Sequence, residues 1–173
     1  LGYNIITCIS NESFEKERDS LKILANGSVD GFIMALSEET QQKEQYDHIN
    51  EVLGNDIPVV LFDRVSDKLD CDKVVGNDLE SIEDAVSALF DKGRKHIAFL
   101  TRINALSVGK LRAQGFMNAM NASGYGLNKG HMVALDKSKD IEEQLIRFFK
   151  NNPEIDGVVT ADNISGTVAI NAL

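Results

Sequence analysis

The chain has 173 residues, of which 43% are hydrophobic and 26% are charged, and these shares are those of an ordinary globular protein. Its 18 basic and 27 acidic residues give a net charge of −9, which argues against a nucleic-acid-binding surface on this part of the protein, although a basic module could lie elsewhere in a longer chain. Two cysteines outside any CxxC pair favour reduced thiols in a cytoplasmic protein, and no apolar run reaches the roughly 18 residues of a membrane span.

The first part of the chain predicts three buried strands separated by helices. Apolar runs at residues 3–8, 32–36 and 57–62 have the length and composition of such strands. Ser10 and Asn11 follow the first run and are candidate caps for the helix that comes next. Apolar residues mark one face of that helix, at Phe14, Leu21, Leu24 and Ala25. Gln42, Tyr46, Ile49 and Leu53 have the spacing of one face of a second helix.

A polar segment separates these elements from a second set. Apolar runs at residues 96–100, 132–135 and 157–160 predict three further strands. Asp140 followed by Glu143 is typical of a capping box at the start of a helix. Two more helices are indicated by apolar positions at helical spacing, at Ile82, Ala85, Val86, Leu89 and Phe90 and at Leu111, Gly115, Ala119 and Met120.

Strands that alternate with helices at this spacing predict an α/β fold with parallel sheets built from right-handed crossovers. A single six-stranded sheet is one possibility, and two smaller sheets are the other. Two sheets are favoured because the interval between the third and fourth strands is the longest and carries the polar segment. We therefore expect an N-terminal subdomain at residues 1–65, a hinge crossing at 66–76 and a C-terminal subdomain at 77–173.

Polar residues follow several of the predicted strands directly. Asp63 and Arg64 come after the third strand, and the carboxyl ends of parallel strands are where open α/β sheets hold ligands. This pair could also do no more than cap its strand and steady the crossing. Asp136 follows the fifth strand in the same way, with a surface turn as the alternative. Ser10 and Asn11 follow the first strand, where capping is the alternative to a place in a cleft.

The sequence does not favour an enzyme. Gly124, Gly126 and Gly130 form a GxGxxxG, but they follow a helix and precede a strand, which is the reverse of a dinucleotide-binding fingerprint. The chain contains no GxxxxGK[ST], GxSxG or HExxH motif. No cofactor and no metal ion are therefore expected.

In their order and spacing, several stretches resemble the effector-binding domain of the LacI/GalR family of bacterial transcription regulators. They include VDGFIMALS, IPVVLFDRVSDKLDCDKVVGND, ALFDKGRKHIAFLT, SVGKLRAQGFMNAM and IDGVVTADN, with LGYNIITCISNESFEKE at the start. The resemblance implies two Rossmann-like subdomains hinged about a ligand cleft, as in periplasmic-binding-protein-like domains of type I. It also implies a fold truncated at both ends, without the helix-turn-helix, the first strand and helix, and the segment beyond Leu173.

The resemblance also assigns effector-binding residues. Asp63 and Arg64 match the position where the strand meets the cleft. Arg112 matches the arginine of an S-x-x-x-x-R-x-x-G-F-like helix, which in relatives clamps the effector, whereas an exposed helix arginine is the alternative. Asp162 resembles a family aspartate that binds a hydroxyl pair or an imidazole-like donor, with a helix N-cap as the alternative. Gly166 stands one position earlier than the glycine that usually follows this aspartate.

Several carboxylates and two arginines suit a polyhydroxylated neutral ligand, because each sugar hydroxyl both donates and accepts. A sugar is favoured over a purine since no aromatic residue stands among the candidates. By resemblance, the chain is the ligand-sensing part of a cytoplasmic, homodimeric regulator with no membrane partner. Its effector would allosterically control operator DNA binding by a helix-turn-helix that is absent from this chain. The alternative is a secreted solute-binding protein that delivers a sugar to a transporter.

Overall fold

The computed structural model describes residues 2–124 and 132–172, and within them the strands form two three-stranded parallel sheets. The chain divides into two compact units, Leu1–Gly76 (the N-terminal unit) and Asn77–Leu173 (the C-terminal unit), with one sheet in each. The prediction of two small sheets instead of a single six-stranded sheet is therefore confirmed. Gly126 and Gly130 of the predicted glycine motif lie outside the described residues.

The N-terminal unit alternates helices and strands. In chain order its elements are α1 (Phe14–Leu24), β1 (Phe32–Met34), α2 (Glu38–Lys43), α3 (Asp47–Gly54), β2 (Val59–Phe62) and β3 (Asp72–Val74). The strands lie side by side in the order β1-β2-β3, and both pairings are parallel. The carboxyl ends of all three strands therefore lie at one edge of the sheet.

Helices cover one face of this sheet. Leu21 of α1 and Ile49 of α3 pack with Leu61 of β2 in one buried cluster. Successive side chains of a strand point to opposite faces, so the residue after Leu61 lies on the other side. That residue, Phe62, is 44% exposed, and Ile33 of β1 is 78% exposed. The sheet of the N-terminal unit is thus buried on one face and open on the other.

The prediction of a strand at residues 3–8 is wrong. The segment forms no strand and pairs with no described strand, and its apolar side chains are open to solvent, with Tyr3 81% and Ile5 89% exposed. An apolar run favours a strand only where a neighbouring strand completes its backbone hydrogen bonds. Among the described residues, no strand lies beside this segment to do so.

The predicted hinge crossing at residues 66–76 contains a strand. β3 continues the sheet of the N-terminal unit, with Val60 opposite Asp72 and Phe62 opposite Val74. The sequence Asp-Lys-Val does not read as a strand because two of its three residues are charged. Charged residues are tolerated at this place since β3 is an edge strand of the sheet.

Two local predictions in this unit also need correction. The helix expected around Tyr46 and Leu53 is two helices, because Glu44 adopts a left-handed conformation (φ 51°) that ends α2. The caps expected at Ser10 or Asn11 are wrong, since Ser13 is the N-cap of α1 and its hydroxyl accepts from the backbone N–H of Lys16 at 3.5 Å. Ser10 contributes only its backbone oxygen, which accepts from the N–H of Ser13 at 3.1 Å.

The C-terminal unit follows its prediction closely. Its elements are α4 (Asp78–Asp91), β4 (Ile97–Thr101), α5 (Ser107–Ala122), β5 (Met132–Ala134), α6 (Ile141–Asn151), β6 (Gly157–Thr160) and α7 (Asn163–Ala172). The sheet has the order β5-β4-β6, so β4 is the central strand. The capping box predicted at α6 is confirmed on its N-cap side, because the Asp140 carboxylate accepts from the Glu143 N–H at 3.0 Å.

Buried clusters lie on both faces of this second sheet. Phe99 of β4 packs with Val86 of α4 and Phe116 of α5 on one face. Leu100 packs with Leu145 of α6 on the other. Every residue of β4 is buried, and the first four, Ile97 to Leu100, form the continuous apolar run expected of a strand that is covered on both faces.

Within the described residues no helix is long and apolar enough to cross a membrane. The same part of the chain contains no cluster of three or more His, Cys, Asp or Glu side chains that could hold a metal ion.

Candidate functional site

The carboxyl edge of the N-terminal sheet holds Asp63 and Arg64, directly after β2. Asp63 has a φ of 57°, a left-handed conformation that costs energy for a residue other than glycine and that aspartate tolerates better than most. Its backbone N–H donates to the Val74 carbonyl at 3.0 Å, which holds it against β3. No hydrogen bond or ion pair reaches the Asp63 carboxylate from the described residues, so this exposed group is available to a ligand.

Arg64 is held by contacts that the sequence did not predict. Its Nη1 donates to Oε2 of Glu12 at 2.6 Å, and that oxygen also accepts from the backbone N–H of Glu38 at 2.8 Å. The Arg64 carbonyl accepts from the Leu36 N–H at 3.2 Å. The Arg64 side chain is 18% exposed. The arginine is thus tied to the start of α2 and to the loop before α1, and is not a free surface charge.

Ser10 and Asn11 lie in the same loop as Glu12. Asn11 and Glu12 have φ values of 50° and 63°, so two consecutive residues adopt left-handed conformations. The side chains of Ser10 and Asn11 make no contact with Asp63 or Arg64 among the described residues, whereas Glu12 reaches Arg64 directly. In the sequence, only the position of Glu12 next to Asn11 indicates that it could lie near Arg64. A lone glutamate just before a helix is usually explained by its favourable interaction with the helix N-terminus.

A buried polar cluster, Glu17, Ser37, Thr40 and His48, lies beside this edge. The Glu17 carboxylate accepts from the Ser37 N–H at 2.5 Å and the Thr40 hydroxyl at 2.6 Å, and contacts His48 Nε2 at 2.8 Å. All four residues are at least nine-tenths buried. As Glu17 is the acceptor, Nε2 carries the hydrogen, and Nδ1 is buried with no partner among the described residues. The cluster fixes the junction between β1 and α2.

Arg112 of α5 makes three bonds at the carboxyl edge of the C-terminal sheet. Nε and Nη2 lie 2.7 and 2.6 Å from Oδ1 of Asp78, and Nη1 donates to the Ala161 carbonyl at 2.6 Å. The Asp78 side chain is 8% exposed and the Arg112 side chain is 29% exposed. A guanidinium has five N–H donors, so others stay available to a ligand. The alternative of an exposed helix arginine does not describe Arg112.

A glycine brings α5 close enough to α4 for this contact. A Cβ on Gly115 would lie 2.2 Å from the carbonyl oxygen of Leu79, which no side chain could do without moving the backbone. Gly115 is three residues after Arg112, about one turn along the helix. The small residue therefore sets the approach that places Arg112 beside Asp78.

Asp162, which follows β6 after one residue, has the geometry of a helix cap. Oδ1 accepts from the Ser165 N–H at 2.9 Å, and Oδ2 accepts from the Ser165 hydroxyl at 2.7 Å. Oδ2 also accepts from the backbone N–H of Arg102 at 3.1 Å, which ties the ends of β4 and β6 together. The capping alternative is thus present in the structure, and any contact of Asp162 with a ligand would share these oxygens.

Asp136 lies in an exposed turn after β5. Its carboxylate accepts from the Ser138 N–H at 2.9 Å and hydroxyl at 2.7 Å, and Lys139 Nζ is 2.9 Å away. The Ser138 hydroxyl and then Lys139 hold the pKa of Asp136 well below its ordinary value. The structure gives Asp136 no contact with Arg112 or Asp162 among the described residues. Its geometry is that of the surface-turn alternative.

The whole chain, residues 1–173, matches the family model described as periplasmic binding proteins and sugar binding domain of LacI family. The chain belongs to this family. This LacI-family domain is 32% identical over 174 residues to the HTH-type transcriptional regulator RegA of Clostridium saccharobutylicum, a match that covers 99% of the chain and 51% of that regulator. It is 32% identical over 129 residues to the HTH-type transcriptional repressor PurR of Vibrio vulnificus, which covers 73% of the chain and 37% of the repressor.

The LacI-family domain thus spans between 37% and 51% of the length of these two curated relatives. Among solved structures, the Cra transcriptional dual regulator from Pseudomonas putida in complex with fructose 1-phosphate superposes with a TM-score of 0.77 at 18% identity. The superposition covers 99% of this chain and 62% of that chain. At this identity the likeness shows the fold alone, and that fold is the α/β architecture with parallel sheets that the sequence predicts.

Proposed function

We propose that this LacI-family domain senses a small-molecule effector for a bacterial transcriptional regulator whose DNA-binding helix-turn-helix lies outside the chain. The single observation that carries the proposal is the family match over the whole chain. The regulators RegA and PurR, which are similar to it, support the same role. The regulator would be a cytoplasmic homodimer and not an enzyme.

Each unit offers candidate effector-binding residues at the carboxyl edge of its own sheet. In the N-terminal unit, Asp63 offers a carboxylate with no partner among the described residues, and Arg64 stands beside it. In the C-terminal unit, Arg112 keeps donors free beyond those that bind Asp78 and Ala161. Carboxylates that accept and guanidinium groups that donate suit a ligand rich in hydroxyls, so a sugar is favoured. The Cra structure that resembles this fold was solved with a phosphorylated sugar.

Regulation requires that the effector bind one of two arrangements of the regulator better than the other. A ligand with equal affinity for both would shift nothing, however tightly it bound. We therefore expect operator affinity and effector affinity to be coupled reciprocally, so that operator DNA changes the effector dissociation constant by the same factor.

The test uses the full-length regulator and an operator fragment. Fluorescence anisotropy measures operator binding with and without each member of a panel of sugars and sugar phosphates. An active compound should change the operator dissociation constant about 5- to 150-fold. The same compound should stabilise the regulator by about 2.7 kcal/mol at 100 times its dissociation constant. Operator binding that no member of the panel changes would contradict the proposal.

A solute-binding protein that delivers a sugar to a transporter is the second candidate. The description of the matching family, which names periplasmic binding proteins, favours keeping it. The gene sequence upstream of Leu1 distinguishes the two candidates at once, since a helix-turn-helix indicates a regulator and a signal peptide indicates a secreted protein.

A further inference from the structure

Arg102 lies at the centre of the carboxyl edge of the C-terminal sheet. It directly follows β4, the middle strand, and its backbone N–H donates to Oδ2 of Asp162 at 3.1 Å. The carbonyl of the preceding Thr101 accepts from the Leu135 N–H at 2.7 Å. Arg102 is therefore fixed by its backbone between the ends of both neighbouring strands, where open α/β sheets hold their ligands.

The guanidinium of Arg102 has no acidic partner within the described part of the chain. Its Nε is buried and makes no hydrogen bond there. By contrast, Arg64 pairs with Glu12 and Arg112 pairs with Asp78. A buried N–H donor without an acceptor lowers stability. Arg102 is such a donor, and no described residue supplies its acceptor.

Asp162 does not supply that acceptor, although it binds the Arg102 backbone. Its Oδ1 accepts from the Ser165 N–H, and its Oδ2 accepts from the Ser165 hydroxyl and the Arg102 N–H. The carboxylate thus accepts three hydrogen bonds, from the cap of α7 and the end of β4, and none of them comes from the Arg102 guanidinium. The Arg102 guanidinium is left for an anion of another source.

The sequence around Arg102 is also free of acidic residues. From residue 92 to residue 135 the chain contains seven basic side chains and no Asp or Glu, although the whole chain carries a net charge of −9. The helix that follows, α5, has no acidic residue in its first turn and no side-chain cap at Leu106. A positive helix terminus and an unpaired arginine both favour negative charge at this edge.

We propose that Arg102 binds a phosphate group carried by the effector, and that the effector is therefore a phosphorylated sugar and not a neutral one. The inference rests on the proposed function and names the chemical class of its ligand. A guanidinium fork matches the geometry of a phosphate and can donate two parallel hydrogen bonds. The free donors of Arg112, in the same unit as Arg102, would then bind hydroxyls of the same molecule.

The test is isothermal titration calorimetry on the full-length regulator with matched pairs: fructose and fructose 1-phosphate, glucose and glucose 6-phosphate, and glucose and glucuronate. At least one phosphate ester should bind tenfold or more tightly than its neutral parent. Arg102→Gln should weaken that ester about 10- to 100-fold, because it removes a charge-assisted pair. Arg102→Lys should retain part of the affinity.

Lys110→Gln is the matched control, because Lys110 is an exposed cation on α5 whose side chain makes no hydrogen bond or ion pair with the described residues. It should leave the affinity for the ester unchanged. Thermal unfolding of Arg102→Gln should show a melting temperature no lower than that of the wild type, since the variant removes a buried N–H donor that has no acceptor within the described residues.

Any of four outcomes overturns the proposal. If a neutral sugar changes operator binding and no ester binds more tightly than its neutral parent, the effector is not a phosphorylated sugar, although the effector-sensing function is supported. An ester that binds Arg102→Gln as tightly as the wild type removes Arg102 from the site. If no compound changes operator binding, the proposed function itself is contradicted. If glucuronate binds more tightly than every ester, the anion that Arg102 binds is a carboxylate and not a phosphate.

Discussion

The two units share one alternation of strands and helices but bury their sheets differently. In the C-terminal unit, clusters lie on both faces of the sheet, around Phe99 on one and Leu100 on the other. In the N-terminal unit, Leu61 is buried on one face while Phe62 on the opposite face is 44% exposed. Alternation of elements therefore sets the topology, whereas burial of the second face depends on which helices are present to cover it.

The difference extends to how the candidate residues are held. In the N-terminal unit, buried polar groups fix the loops at the edge of the sheet, with Glu17 as the central acceptor. In the C-terminal unit, close helix packing at Gly115 and the pair between Arg112 and Asp78 do so. The stability of the N-terminal unit should therefore fall most when buried hydrogen bonds are removed, and that of the C-terminal unit when close packing is lost.

The largest effect should come from the core that is buried on both faces. Phe116 is fully buried and its ring stacks on Phe99 with centroids 5.2 Å apart. Phe116→Ala should lower the free energy of unfolding by about 3–5 kcal/mol, because it removes apolar contacts and leaves a cavity. Phe62→Ala, in the half-open sheet, is the control, and urea unfolding should show a cost of less than half as much. Equal costs would contradict the contrast between the two sheets.

The next effect tests the polar cluster of the N-terminal unit. Glu17→Ala leaves the buried Ser37 N–H and the Thr40 hydroxyl without their acceptor, so unfolding in urea should show a loss of about 3 kcal/mol. Glu15→Ala, on the exposed side of the same helix, should change stability by less than about 0.5 kcal/mol. A similar cost for both variants would show that the cluster does not stabilise the unit.

Arg112 should have two roles that a double-mutant cycle separates. Arg112→Ala and Asp78→Ala should each lower the free energy of unfolding by about 2 kcal/mol, and the double variant by clearly less than their sum. Arg112→Ala should also abolish the rise in melting temperature caused by the effector. Strictly additive costs would mean that the pair contributes nothing, and an unchanged shift would exclude Arg112 from the site.

The smallest effect should be a pH dependence at the amino end of β4. Burial raises the pKa of Asp156, but the N–H groups of Lys95 and His96 lower it by more, so the net pKa lies below its ordinary value. A lowered pKa in the folded state adds stability above about pH 4, and this contribution is lost as the pH falls further. Urea unfolding between pH 7 and pH 3 should show less loss for Asp156→Asn than for the wild type.

Most strands could be predicted because each is a short continuous apolar run bounded by turn-forming or charged residues. Such runs identify β4, and also β2, where Val59 to Phe62 stand between a proline and two charged residues. β3 could not be predicted, since an edge strand needs few apolar residues. At residues 3–8 the error was the opposite, since a strand was predicted and none forms. The apolar pattern shows only a preference for strand structure, and a strand forms only where a neighbouring strand pairs with it.

The candidate residues were predicted by position but not by contact. A strand end followed by Asp63 and Arg64 is visible in the sequence, whereas the partner of Arg64 is Glu12, which is distant along the chain and comes near only when α1 and α2 pack. The same is true of Asp78 beside Arg112. For Asp162 the sequence leaves a ligand role and a capping role open, and its bonds to Ser165 show the capping role. Ion pairs between residues that are distant along the chain form only when the helices and strands pack. The periodicity of apolar residues predicts the elements but not how they pack.

The open edge of β1 has a consequence for the colloidal behaviour of the 173-residue chain. Among the described residues β1 is an edge strand, its Ile33 is 78% exposed, and Ile5, which lies outside any strand, is 89% exposed. Unpaired strand edges with apolar side chains are templates for pairing with other molecules. The net charge of −9 opposes this association by repulsion, and salt screens repulsion beyond about 10 Å at 0.1 M. The chain should therefore remain clear in dilute buffer and scatter light once salt is added, so low ionic strength is the condition in which to handle it.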